Sequence, residues 1–186
     1  MHAIFTRHLP HRPLRLTFCL FLLIIASVCM LMASPPAMAQ QAKVGPQLKL
    51  SGTDYLGRKI DLRDYAGKTI LISFYSGGCT VCARDLKLMR EFFRDNAAKN
   101  FALIGINLDK TKADFELYTK IVAASVPKNQ QFPLIWRSSA ETLDGFGTIN
   151  SDPSHFVIGA NGQIILKREG TFKSEDWDNL WGFLHP

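Results

Sequence analysis

Phe74-Tyr75-Ser76-Gly77-Gly78-Cys79-Thr80-Val81-Cys82-Ala83-Arg84-Asp85-Leu86-Lys87 is the stretch whose reading decides the fold. It begins inside an apolar run, Ile70-Leu71-Ile72-Ser73-Phe74-Tyr75, of the length and composition of a buried strand. Beyond the Gly-Gly turn, Cys82, Leu86, Met89 and Phe93 recur at i, i+4, i+7 and i+11, one face of a helix. Both cysteines therefore stand at a strand-to-helix junction. The unpaired N–H groups and positive end of the helix favour a thiolate there, so Cys79 is expected to be more acidic than a free thiol at about 8.5. Three positions apart, the second sulfur can reach the first and close a disulfide. Cys79, ahead of the helix, is the expected nucleophile. Cys82, one turn in on the apolar stripe, is expected to be buried and to resolve the mixed disulfide.

Working outward, Leu48, Leu50, Ile60 and Leu62 alternate with polar residues around Asp54-Tyr55-Leu56-Gly57, the pattern of an N-terminal hairpin. Residues 63–69 read as a loop, and the first long helix as running from Cys82 to about Ala98. Residues 101–108 form a near-continuous apolar run, suited to a parallel strand buried on both faces. Together with the first strand and helix it makes a right-handed crossover. A second helix is expected over residues 113–124, a short strand over 133–136, and a short helix from a Ser139 cap to about Phe146. Residues 155–158 and 163–168 are expected to form an antiparallel hairpin about Asn161-Gly162. A last helix starts at Ser174, with Trp177, Leu180, Trp181 and Leu184 as its buried stripe. Strands and helices in this order imply an α/β domain whose central mixed sheet is covered on both faces and carries an N-terminal β-hairpin extension.

The beginning of the chain has a different character. Arg7, Arg12 and Arg15 precede an apolar run over residues 16–33, and Ala37-Met38-Ala39 supplies a small-x-small site before Gln40. This is the layout of a secretory signal peptide. The alternative is an uncleaved anchor to the inner membrane by residues 16–33, whose length is near the lower bound for a span. The expected organisation is a leader over 1–39, a short tether over 40–47 and a domain over 48–186, in the periplasm or otherwise exported. Of four cysteines, Cys19 and Cys29 fall in the leader, so the exported part retains only Cys79 and Cys82. So short a loop staples nothing, and the pair reads as reactive rather than structural. Only His155 and His185 lie beyond the leader, too few for a zinc site, and no metal or cofactor is expected. Of the formal charge of +6, three units are the leader arginines; the remaining 19 basic and 16 acidic residues include no basic run, so nucleic-acid binding is not expected.

The CxxC stretch, with Phe74 before it, resembles the active site of the thioredoxin fold, and most closely the TlpA/ResA/CcmG group of exported thiol–disulfide oxidoreductases. Asp152-Pro153-Ser154-His155-Phe156-Val157-Ile158 is similar to that group's cis-proline strand, and Leu62, Tyr65 and Gly67-Lys68 fit its approach to the first core strand. Gly78 stands where the group has Trp, Val81 where Pro is frequent, Lys87 where a Pro kinks the helix, and Ser73 where cytoplasmic thioredoxins bury an Asp. The resemblance implies a thioredoxin-like fold, a redox-active Cys79–Cys82 disulfide, and a cis Pro153 packed beside it. It also implies disulfide-containing exported proteins as partners, with a membrane-side electron donor. Asp85, where the group often carries Glu, either tunes Cys79 or shuttles a proton to Cys82, or else is a solvated first-turn acid. Asp152 is either an exposed turn residue or, with its carboxylate near the sulfurs, a group that raises the Cys79 pKa. His155 reads as a surface strand histidine rather than a metal ligand. Two alternatives stand beside the oxidoreductase. One is an SCO-like copper chaperone, whose cysteine spacing and histidine differ from these. The other is a peroxiredoxin-type thiol peroxidase, whose Pro-x-x-x-Thr-x-x-Cys motif would need Pro where Ile72 stands.

Overall fold

A computed structural model describes residues 48–184. The expected leader and tether lie outside these residues. Among the described residues no helix is long and apolar enough to cross a membrane. The strands are β1 (Leu50–Thr53), β2 (Lys59–Asp61), β3 (Thr69–Tyr75), β4 (Phe101–Asn107), β5 (Leu134–Trp136), β6 (Leu143–Asp144), β7 (Ser154–Ile158) and β8 (Ile164–Glu169). The α-helices are α1 (Thr80–Asn96), α2 (Lys112–Ser125) and α3 (Ser174–Leu184).

Five strands form the central sheet in the order β5-β4-β3-β7-β8. β3 pairs with β4 in parallel and with β7 antiparallel, so the sheet is mixed. All seven residues of β3 and of β4 are buried, which is why both read as near-continuous apolar runs. One face carries Leu71, Tyr75, Leu103 and Val157, packed with Cys82, Leu86 and Met89 of α1, Phe115 and Val122 of α2, and Leu180 of α3. The other carries Ile70, Ile72, Phe74, Ile104, Ile106 and Phe156, packed with Leu50, Ile60 and Leu62. Both faces are thus covered, one by helices and one by the N-terminal strands. The β7–β8 hairpin turns at Gly162, whose φ of +79° suits glycine, and the Asn161 side chain accepts the Gln163 N–H at 3.1 Å.

Several expectations require correction. Residues 139–146 are not a helix. Ser139 and Thr142 make a tight turn instead, Thr142 Oγ1 donating to the Trp136 carbonyl at 2.9 Å, and Leu143–Asp144 pair with β1 as the third strand of the N-terminal sheet. A segment this short with Gly145 and Gly147 behind it gains too little from helical bonds. Residues 62–65 form a 3-10 turn capped by the Asp61 carboxylate, where a loop was expected. Trp181 is 49% exposed, at the rim of the α3 stripe rather than within it, with Lys99 Nζ 4.7 Å from its ring centre.

α3 is tied to β8 by Asp176, a buried carboxylate that accepts Arg168 Nε at 2.7 Å, Arg168 Nη2 at 2.8 Å and the Lys173 N–H at 2.8 Å. Burial pushes the Asp176 pKa up, but the Arg168 and Lys173 bonds outweigh it and hold the carboxyl below its ordinary value. A depressed folded-state pKa stabilises above the unfolded value of about 3.9 and loses that contribution as pH falls through the folded value. Asp176→Asn is expected to lose about 1–2 kcal/mol at pH 7. The gap should narrow below about pH 4, as read by urea denaturation at pH 7 and pH 3. A gap as wide at pH 3 would show that shape rather than charge is responsible.

Candidate active site

α1 begins earlier than the apolar spacing predicts because Cys79 is its N-cap. Its φ and ψ are −82° and 110°, and its sulfur accepts the Cys82 N–H at 3.1 Å. Sulfur occupies the position where Ser, Thr, Asp or Asn usually satisfies a free N–H. A disulfide joins Cys79 to Cys82, their Cα atoms 5.2 Å apart. Cys79 is half-buried and Cys82 is 1% exposed, so Cys79 is the more accessible sulfur.

The loop between β3 and α1 is held from two sides. The Asp109 carboxylate accepts the Gly77 N–H at 3.0 Å and Asn107 Nδ2 at 2.7 Å, and its carbonyl accepts Trp136 Nε1 at 2.8 Å. A Cβ on residue 77 would meet Asp109 Oδ2 at 3.0 Å and Tyr118 Cβ at 3.3 Å, so this close approach requires glycine; one on residue 78 would meet nothing within 4 Å. From the other side, the Asp152 carboxylate accepts both the N–H of Ser76, at 3.1 Å, and its Oγ–H.

The Asp152–Pro153 peptide bond is cis, Pro153 is buried, and the Asp152 carbonyl oxygen lies 3.9 Å from Cys79 Sγ. The structure therefore brings Pro153 and Asp152 to the sulfurs. Asp152 Oδ1 is 3.0 Å from Cys82 Sγ, although the Asp152 side chain also reaches solvent. The carboxylate is next to the redox pair and not in a remote turn. A carboxylate and the two sulfurs lie within 4.8 Å of one another. In the reduced protein these are the atoms a thiophilic cation would meet; among the described residues no histidine joins them.

Asp85 is not a solvated acid. It is 1% exposed and accepts the Phe172 N–H at 2.9 Å, joining α1 to the entry of α3. His155 is not a surface residue either. It is fully buried, with its Nε2 3.5 Å from Asp85 Oδ2 and its ring 5.5 Å from that of Phe172. All five residues of β7 are buried, so no alternation of polar and apolar residues marks which way His155 points. Asp109, Ser76 and His155 were not singled out as site residues by sequence.

Comparison with known proteins agrees with this geometry. Residues 42–167 match the AhpC/TSA family. The chain is similar to the thiol-disulfide oxidoreductase ResA of Bacillus thuringiensis subsp. konkukian, at 25% identity over 134 residues, 72% of this chain and 73% of that protein. It is also similar to ResA of Bacillus subtilis, at 21% identity over 138 residues, 73% of this chain and 72% of that protein. Among solved structures, StoA from Bacillus subtilis superposes with a TM-score of 0.57 at 19% identity, over 74% of this chain and 98% of that one. A thioredoxin family protein from Chlorobium tepidum superposes with a TM-score of 0.58 at 19% identity, over 77% and 98%. At such identities the structures speak for the thioredoxin-like fold alone. The family match together with the Cys79–Cys82 disulfide at a helix start leads to one conclusion: the chain belongs to the AhpC/TSA family and is a thiol–disulfide oxidoreductase, similar to the ResA proteins.

Proposed function

We propose that this oxidoreductase works outside the cytoplasm, in the periplasm or an equivalent exported compartment, and that it reduces disulfides in particular exported proteins. The observation that carries the direction of electron flow is the Asp152 carboxylate 3.0 Å from Cys82 Sγ. Thr80 and Val81 bring no cation between the cysteines. At a separation of 4.8 Å or less, a carboxylate opposes ionisation of a thiol by about 1 kcal/mol in a water-like dielectric and by ~3 kcal/mol at an effective dielectric of 20. Asp152 is exposed, so the lower figure applies. It is comparable with the ~0.3–1 kcal/mol by which a helix N-terminus favours the Cys79 thiolate. The two effects roughly cancel, and the Cys79 thiolate gains no net stabilisation. A thiolate without special stabilisation makes the dithiol the more easily oxidised, hence the better electron donor.

In the cycle, the Cys79 thiolate attacks a partner's disulfide and displaces one partner thiolate. Cys82 then attacks Cys79 Sγ, the Cys79–partner bond breaks, and the second partner thiol leaves. Two electrons pass to the partner and the Cys79–Cys82 disulfide forms. In an oxidising compartment a membrane-side donor must restore the dithiol. The leader pattern over residues 1–39 supports export.

Equilibration with glutathione tests the reading. The potential is expected nearer the about −270 mV of general reductants than the about −120 mV of strong disulfide donors. The Cys79 thiol should not reach the very acidic values, about 3.5, of such donors. A potential near the upper figure would overturn the reductant direction, and a secreted chain still beginning at Met1 would overturn cleavage after Ala39. Consumption of hydrogen peroxide faster than reduction of protein disulfides would favour the thiol peroxidase instead.

A further inference from the structure

Cys82 gains and loses a proton in every cycle, yet it is 1% exposed. The Asp152 side chain touches its sulfur and also reaches solvent. Its carboxylate is fixed there by the N–H and Oγ–H of Ser76. In the disulfide the sulfur has no hydrogen to donate, so Oδ1 already occupies the place an S–H would point to once the bond opens. Asp85 is not among the groups gathered at the two sulfurs, and its Oδ2 takes the Phe172 N–H and faces His155 Nε2. The position of a buried thioredoxin acid is taken by Ser73, which does not ionise.

We propose that Asp152 is the general base for Cys82, resting on the reading of the chain as a CxxC oxidoreductase. In the resolving step the Cys82 S–H proton passes to Asp152 Oδ1 as Cys82 Sγ attacks Cys79 Sγ. The bond from Cys79 to the partner's sulfur breaks, and the departing thiolate takes a proton from the Asp152 carboxyl or from water. When the disulfide is reduced again, Asp152 returns a proton to the Cys82 sulfur. The titratable groups that face it are Cys79 and Cys82 at the start of α1; Asp109 holds the Gly77 N–H from the other side of the loop, Asp85 lies a turn further along α1, and His155 is two residues beyond Pro153 on β7.

Stopped-flow reaction of the reduced protein with a chromogenic aromatic disulfide separates the steps, since attack by Cys79 releases one thiolate and resolution by Cys82 the second. Asp152→Asn is expected to slow the second phase by about a hundredfold near pH 6–7. It should leave the first phase unchanged or faster, and the deficit should disappear in alkali, where the Cys82 thiol ionises unaided. Asp152→Glu should restore part of the second phase. An unchanged second phase would show that the proton leaves directly to water. Equal slowing of both phases, or a deficit persisting in alkali, would show that Asp152 only shapes the loop. Either result overturns the proposal while leaving the oxidoreductase intact. A wild-type protein that releases only one thiolate per molecule would overturn the oxidoreductase reading itself, and the proposal with it.

Discussion

Cys82→Ser protein is expected to accumulate covalent complexes with its partners, whereas Cys79→Ser protein should form almost none. The asymmetry follows from access and from the helix. Cys79 is half-buried at the N-cap, where a free N–H already points at its sulfur at 3.1 Å, and Cys82 is 1% exposed beneath it. A partner's disulfide can therefore be approached only by Cys79. Without Cys82 the mixed disulfide persists until an outside thiol releases it. Without Cys79 turnover should fall by on the order of a thousandfold or more, because the nucleophile is lost and the remaining thiol is shielded. Non-reducing electrophoresis of extracts, with each variant expressed in place of the wild type, reads both results. Complexes formed by Cys79→Ser and not by Cys82→Ser would reverse the assigned roles.

How far the sequence disclosed this site depended on which physical signal each residue left. β3, β4 and α1 announced themselves by apolar runs and by the spacing of Cys82, Leu86 and Met89, because burial on that scale leaves little choice of residue. The start of α1 was misplaced by two residues because its cap is a sulfur, outside the usual capping set. Residues 139–146 leave no local signature of their conformation, because strand β6 has only two residues and follows from pairing with β1, a contact across more than 90 positions that no local pattern encodes. Asp152 could be tied to the cysteines only through the resemblance of its strand to a cis-proline strand; its carboxylate's approach to Cys82 depends on Ser76, which belongs to another loop. Asp85 was ambiguous for a different reason. Its place three residues after Cys82 puts it on the buried face of α1, but with the helix expected to start at Cys82 it counts as a first-turn acid, ordinarily a surface group, whereas α1 starts at Thr80 and has no acid in its first turn. What makes it a core residue is the Phe172 N–H supplied from 87 positions away.

That buried acid leads to the second large effect. Asp85 and His155 are each 1% exposed or less, and neither His155 nitrogen, nor Asp85 Oδ1, meets a hydrogen-bond partner among the described residues. Such a pair is a poor source of stability, since desolvation offsets most of what the two groups gain from one another. Removing one member is a different matter. Asp85→Leu leaves His155 facing an apolar side chain and strands the Phe172 N–H, and it is expected to cost about 3–5 kcal/mol. Changing His155 to Leu as well should recover all but the ~1–3 kcal/mol that the unpaired Phe172 N–H retains. Asp85→Asn, which still offers an oxygen to that N–H, should cost less than Asp85→Leu. Urea denaturation of the three variants, compared at constant slope, reads the ranking. A double variant no more stable than Asp85→Leu alone would mean that the stranded His155 is not what the single change costs, and that the loss lies with the Phe172 N–H that Asp85 holds between α1 and the entry of α3.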